Sequence, residues 1–241
     1  MLKNEDVKAI LFDIDDTLFD RKRAIEKVIH RIVQQLPELF SGMPEEKVIE
    51  AFHKADRMGL EEFNNGLSGD LVRDKRSKRF LRSLGLNEKF SDSVTTMYVN
   101  AYPSVNTTVK DAKFVVGMLA DKYPLGIISN GFPDTQYHKL EGIGIRDFFK
   151  VSLLSEEIGI RKPDIAIFHK AAELLNVKPC ECFFVGDSFD TDIIGAKRSG
   201  MRTCWFNQDG KRPISEEIKP DFEIDALSEL LPYLGFDTIS A

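Results

Sequence analysis

The chain has 241 residues, enough for one large domain or a core carrying an inserted smaller one, and its 42% hydrophobic and 30% charged residues are the balance of a fully folded chain. A formal net charge of -6 argues against a general nucleic-acid or membrane-surface binder, because phosphate-rich partners attract basic faces, while leaving a small phosphorylated substrate open. Cys180, Cys182 and Cys204 form neither a C-x-x-C pair nor an even disulfide set, no apolar run reaches the length of a membrane span, and the N-terminal stretch carries early acids, so a reduced, cytoplasmic protein is expected.

The first element is the apolar run opening AILFDIDDTLFD (9–20), which reads as a buried strand ending in Asp13, Asp15 and Asp16. Residues 19–105 have helical periodicity, with turn signals at Ser41-Gly42, Asn64-Asn65-Gly66 and Gly85; they are expected to form a helical insertion directly after that strand. The stretch RDKRSKR (73–79) within it reads as the solvated face of a helix. Short apolar runs then recur at PLGIIS (124–129), VSLL (151–154), CFFVG (182–186) and TCWF (203–206), separated by helical patterns such as PDIAIFHKAAELLN and TDIIGAKRS. Strands alternating with helices imply parallel pairing through right-handed crossovers. The expected fold is therefore α/β, a doubly wound, Rossmann-like parallel sheet formed by residues 1–18 and 106–241, with residues 19–105 inserted.

In such a sheet, ligands gather outside the carboxyl ends of the strands. Asp13, Asp15, Asp16 and Thr17 follow the first strand; Ser129, Asn130 and Gly131 follow PLGII; Gly186, Asp187, Ser188, Asp190 and Asp192 follow CFFV. Lys162 precedes Pro163, and proline favours the first position of a helix, which would set this cation beside a helix N-terminus. Together these residues describe an acidic pocket with one lysine. Mg²⁺ would reconcile the crowded carboxylates, since it takes oxygen ligands from a few acids, water and phosphate. Asp13 and Asp187 are the natural ligands, with Asp192 close by and the Asp15 backbone carbonyl available. One carboxylate could then attack phosphorus while another handles protons.

Four motifs in order make the chain resemble the haloacid dehalogenase superfamily: Asp13-Ile14-Asp15-Asp16-Thr17 for D-x-D-x-T, Ser129, Lys162 before Pro163, and Gly186-Asp187 followed by Asp192. The resemblance implies a Mg²⁺-dependent phosphohydrolase with a helical cap at residues 19–105. It assigns Asp13 as nucleophile, Asp15 as general acid and then base, Ser129 and the amides near Asn130 as phosphate ligands, and Lys162 as the charge partner of phosphate and Asp13. IISNGFPDTQYHKLEGIGIRDFF, LLSEEIGIRKPDIAIFHKA and VGDSFDTDIIGAKRSGMRTCWFN are similar to the pyrimidine 5'-nucleotidase subgroup. The implied partner is a small phosphorylated metabolite, a nucleotide by that resemblance, acted on by a monomer or homodimer.

Other readings are weaker on particular residues. The family's dehalogenases lack an acid at the position of Asp15, and its typical mutases read D-x-D-G-V before a cap histidine that is absent here. A metal-binding regulator of the EF-hand kind fails because Leu18 stands where glycine is needed and Ala24 where glutamate is needed.

Overall fold

The computed structural model describes residues 6–236. The chain divides into two compact units, Met1–Asp20 with Thr108–Ala241, and Arg21–Thr107.

The first unit is built on six strands, β1 (Ala9–Phe12), β2 (Leu125–Ser129), β3 (Phe149–Leu154), β4 (Cys182–Gly186), β5 (Arg202–Phe206) and β6 (Phe222–Ile224). They pair in the order β3-β2-β1-β4-β5-β6, every pair parallel. This is a Rossmann-like α/β sheet, wound outward from β1 in both directions, with a topological switch between β1 and β4. Strands β1, β2 and β4 are buried along their whole length, as expected of apolar runs covered on both faces. The short edge strand β6 has no sequence signal of its own, since only two of its three residues are apolar.

The other unit consists of α1 (Arg21–Gln35), α2 (Glu45–Asn64), α3 (Gly69–Ser83) and α4 (Ser91–Ala101). Ala24, Ile25, Val28, Ile29 and Ile32 form the buried stripe of α1. Phe52 packs against Phe80 with ring centroids 5.2 Å apart and against Tyr98 at 4.8 Å. The solvated-face expectation for residues 73–79 fails at Arg76, which is 7% exposed. Arg76 lies in register with Val72 and Phe80 at four-residue spacing, so the helix turns it inward with them. There it bonds the buried Asp56 at 3.1 Å and lies 4.1 Å from the Tyr98 ring centroid, while Arg21 bonds the other Asp56 oxygen.

After the insertion, α5 (Ala112–Ala120) precedes β2, α6 (Pro133–Gly142) follows it, and α7 (Ser155–Ile158) and α8 (Ile165–Leu174) lead to β4. Asp164 caps α8, its Oδ1 accepting the Ala166 N–H at 2.9 Å. Pro163 thus stands ahead of the cap and not at the first helical position, correcting the sequence expectation for the neighbourhood of Lys162. Beyond β4, a wide turn at Phe189–Ile193 opens into α9 (Ile194–Arg198). Its first cap is Ser188, whose Oγ accepts the Thr191 N–H at 3.4 Å.

Candidate active site

Three parallel strands, β2, β1 and β4, deliver their following loops to one edge of the sheet. The Asp13 N–H bonds Val185 C=O at 3.0 Å, so the sheet pairing continues one residue past β1 and fixes the first carboxylate. The chain then folds back: Leu18 and Phe19 N–H groups both bond Ile14 C=O at 2.9 Å, with Asp16 at φ 57°. A left-handed φ is tolerated by aspartate better than by most residues. This tight turn sets Asp15 two residues beyond Asp13 on a different heading.

Lys162 is 2% exposed and reaches two acids at once, 2.5 Å from Asp13 Oδ1 and 2.7 Å from Asp192 Oδ1. Burial pulls its pKa down, but Asp13 and Asp192 outweigh that and leave it raised. Asp13 is raised to about 7, chiefly by burial, with Asp192 and Asp15 adding to the rise and Lys162 opposing it. Asp187 is driven well above the carboxylate range by burial and then by Asp192, Asp13 and Asp16.

The structure thus gathers Asp13, Asp187 and Asp192, each with a carboxylate oxygen within 4.8 Å of the others. Three carboxylates against one buried ammonium leave an excess of two negative charges when all are ionised. Asp192 Oδ1 is buried, with the Lys162 ammonium 2.7 Å away as its partner. An all-oxygen donor set that carries more negative charge than its one buried ammonium offsets fits a hard divalent cation. Two features aim the ligands: the Ser188 N–H holds Asp192 Oδ2 at 3.1 Å, and the indole of Trp205 bonds Asp187 C=O at 2.9 Å. Gly186 is required here, because a side chain at that position would collide with the Asp192 carboxylate. The half-exposed Lys211 reaches Asp187 Oδ2 at 3.4 Å.

The remaining expected residues occupy different roles in the geometry. The Asp15 carboxylate bonds Lys139 at 2.6 Å through Oδ1 and Gln136 at 2.8 Å through Oδ2. Ser129 is 1% exposed and accepts a hydrogen bond from Gln136 at 2.7 Å. The Asn130 side chain is bonded to the Lys162 backbone through both its ends. Gln136 and Lys139 escaped the sequence reading. Gln136 had a signal, a polar residue in an apolar stripe, since Gln136, Leu140 and Ile143 follow i, i+4, i+7 spacing and are all buried, whereas Lys139 had none of this kind.

Residues 7–200 match the model of the haloacid dehalogenase-like hydrolases, and the chain belongs to that family. It is 32% identical to the glyceraldehyde 3-phosphate phosphatase of Methanopyrus kandleri, over 93% of this chain and 96% of that one. It is 34% identical to the pyrimidine 5'-nucleotidase YjjG of Escherichia coli over 55% of this chain and 59% of the relative. Among solved structures, the Bacillus subtilis HAD-hydrolase YfnB bound to magnesium superposes with a TM-score of 0.82 at 26% identity, covering 95% of this chain and 99% of that one. Among the described residues, no helix is long and apolar enough to cross a membrane.

Proposed function

We propose that the protein is a Mg²⁺-dependent phosphatase of small phosphomonoesters that works through a phosphorylated Asp13. The observation that carries this reading is the placement of Asp13: buried, 2.5 Å from Lys162, within the Asp13–Asp187–Asp192 group, and two residues from a separately held Asp15. An Asp13 oxygen attacks phosphorus, forming a new P–O bond as the bond to the leaving oxygen breaks. Asp15 gives its proton to that oxygen. In the second half, Asp15 takes a proton from water as the water oxygen attacks phosphorus, releasing inorganic phosphate and restoring the Asp13 carboxylate. Ser129 donates its hydroxyl hydrogen to a phosphoryl oxygen, and Lys162 offsets charge shared between phosphate and Asp13. Asp13, Asp187 and Asp192, with the Asp15 carbonyl, would hold Mg²⁺, which when bound supplies charge neutralisation between nucleophile and phosphate.

The helical unit Arg21–Thr107 is assigned the part of a substrate-selecting cap. For the substrate, the relatives matched over nearly their whole length support a small phosphorylated sugar or triose, and the shorter match supports a pyrimidine nucleotide. Phosphate release from triose and sugar phosphates and from pyrimidine and purine nucleoside monophosphates, with Mg²⁺ or EDTA, tests both levels. Release abolished by EDTA and by Asp13→Asn is expected; release that survives either would reject the mechanism. The fastest ester in the panel identifies the substrate class.

A further inference from the structure

Helix α6 turns two long polar side chains inward. Gln136 is 0% and Lys139 3% exposed, and at three-residue spacing they share one helix face. Burying an amide and an ammonium is costly unless each is hydrogen-bonded. Both donate to Asp15, Lys139 Nζ to Oδ1 at 2.6 Å and Gln136 Nε2 to Oδ2 at 2.8 Å. The second hydrogen on the same amide nitrogen goes to Ser129 Oγ at 2.7 Å. The reversed amide would point its oxygen at a carboxylate, so Asp15 dictates the orientation.

Two further observations show that this contact is built at some cost. Gln136 Oε1 is buried without a hydrogen-bond partner among the described residues, which costs stability. Gly131 lacks a side chain where any Cβ would overlap the Gln136 amide, so the turn after β2 leaves open the path that the amide occupies. The Lys139 ammonium also lies 5.1 Å from the Phe19 ring centroid, inside the turn that carries Asp15.

We propose that Gln136 and Lys139 are positioning residues for proton transfer: they grip both oxygens of Asp15 and, through the shared amide, hold that carboxylate in one frame with the Ser129 hydroxyl. The inference rests on the proton-donor role given to Asp15 above. Because Ser129 Oγ accepts from Gln136, its own hydrogen is left to point at an arriving phosphoryl oxygen. Proton transfer demands that the Asp15 oxygen lie within hydrogen-bond reach of the leaving oxygen. Loss of either of these donors loosens one oxygen of the carboxylate, and leaving groups that need a proton would suffer most.

The test compares kcat/KM for the fastest alkyl phosphate of the panel with that for p-nitrophenyl phosphate, whose leaving group departs as a stable anion. Lys139→Met should lower the alkyl value about tenfold to hundredfold and the aryl value less than about threefold; Gln136→Met, which also frees Ser129, should lower both values, the alkyl one about tenfold more than the aryl one. In an Asp15→Asn background Lys139→Met should cause no further loss, as for residues that act as a unit, and Gln136→Met should keep only the loss common to both esters. Gln136→Glu, nearly isosteric, should give the same leaving-group pattern and serves if the methionine variant misfolds. Equal losses on both esters for either variant, or full additional loss from Lys139→Met in the Asp15→Asn background, would overturn the inference while leaving the phosphatase reading intact. A wild-type enzyme silent on every ester, or an Asp15→Asn enzyme fully active on the alkyl ester, overturns that reading and the inference with it.

Discussion

The side chain of Asn130 closes on the backbone of Lys162 from both sides, its Oδ1 accepting the N–H at 2.9 Å and its Nδ2 donating to the C=O at 2.8 Å. A residue at the end of β2 thereby sets the position of an ammonium that contacts Asp13. Asn130→Ala should remove both bonds and lower kcat/KM roughly tenfold to hundredfold through misplacement of Lys162, with about 1–3 kcal/mol lost from stability. Steady-state kinetics and urea unfolding of the same preparation check this. Unchanged kinetics alongside reduced stability would show that the bracket serves only the fold.

Mutual repulsion among Asp13, Asp187 and Asp192 should be relieved by a cation. Mg²⁺ at about 100 times its Kd should stabilise the wild type by about 2.7 kcal/mol. In Asp187→Asn, the metal-free protein should be more stable than wild type at neutral pH, because a buried acid crowded by Asp192 and Asp13 is replaced by a neutral amide, and the response to Mg²⁺ should shrink. Thermal unfolding with and without Mg²⁺ measures both effects. An undiminished Mg²⁺ response in the variant would remove Asp187 from the ligand set.

Gly186→Ala places a methyl group against the Asp192 carboxylate, which is 1% exposed and hemmed in by Lys162. Overpacking of this kind costs about 1–3 kcal/mol. Phosphate release should fall with it, since Asp192 must shift. A variant with wild-type Mg²⁺ affinity and rate would mean that the loop absorbs the methyl group elsewhere.

Acid stability is expected to reside partly in the helical unit. Burial would raise the Asp56 carboxyl, but Arg21 and Arg76 outweigh burial and hold it below the ordinary range. With a depressed folded pKa, the unfolded chain takes up the proton first as pH falls. The stabilisation is therefore complete above the unfolded value near about 4 and is lost as pH drops through the folded one. Asp56→Asn should flatten this acid limb of the stability profile, and at neutral pH it should cost about 3–5 kcal/mol by taking the counter-charge from the buried Arg76 guanidinium. Urea titrations across the acid range decide it: parallel profiles for wild type and variant would assign the acid sensitivity to other groups.

The sheet and the acidic loops were legible because each depends on local pattern. Apolar runs such as CFFVG announce buried strands, and the acids that follow them must lie at strand ends whatever the tertiary details. Gln136, Lys139 and Arg76 were not legible, because their burial is decided by partners distant in the chain. Lys139 meets Asp15 across 124 residues, and Arg76 meets Asp56 across 20. In sequence, Lys139 and Arg76 each read as an ordinary polar position on a helix, and only the apolar stripe of Leu140 and Ile143 hinted at Gln136. Asn130 shows a related limit: its place at the end of β2 was visible, but not that its amide would turn toward the Lys162 backbone.

The position of β1 at the middle of the sheet has a consequence for how the chain comes into being. The strand is synthesised well before its neighbours β2 and β4, which begin at Leu125 and Cys182. Until both have been made, Ala9–Phe12 is an apolar segment with no sheet to join, while the helices of Arg21–Thr107 can already form from nearby contacts. Asp13 and Lys162, 149 positions apart, then come together late. A nascent or truncated chain ending before β4 would be prone to aggregate and would lack the Asp187 and Asp192 carboxylates, so solubility and turnover should be gained together as synthesis passes that strand.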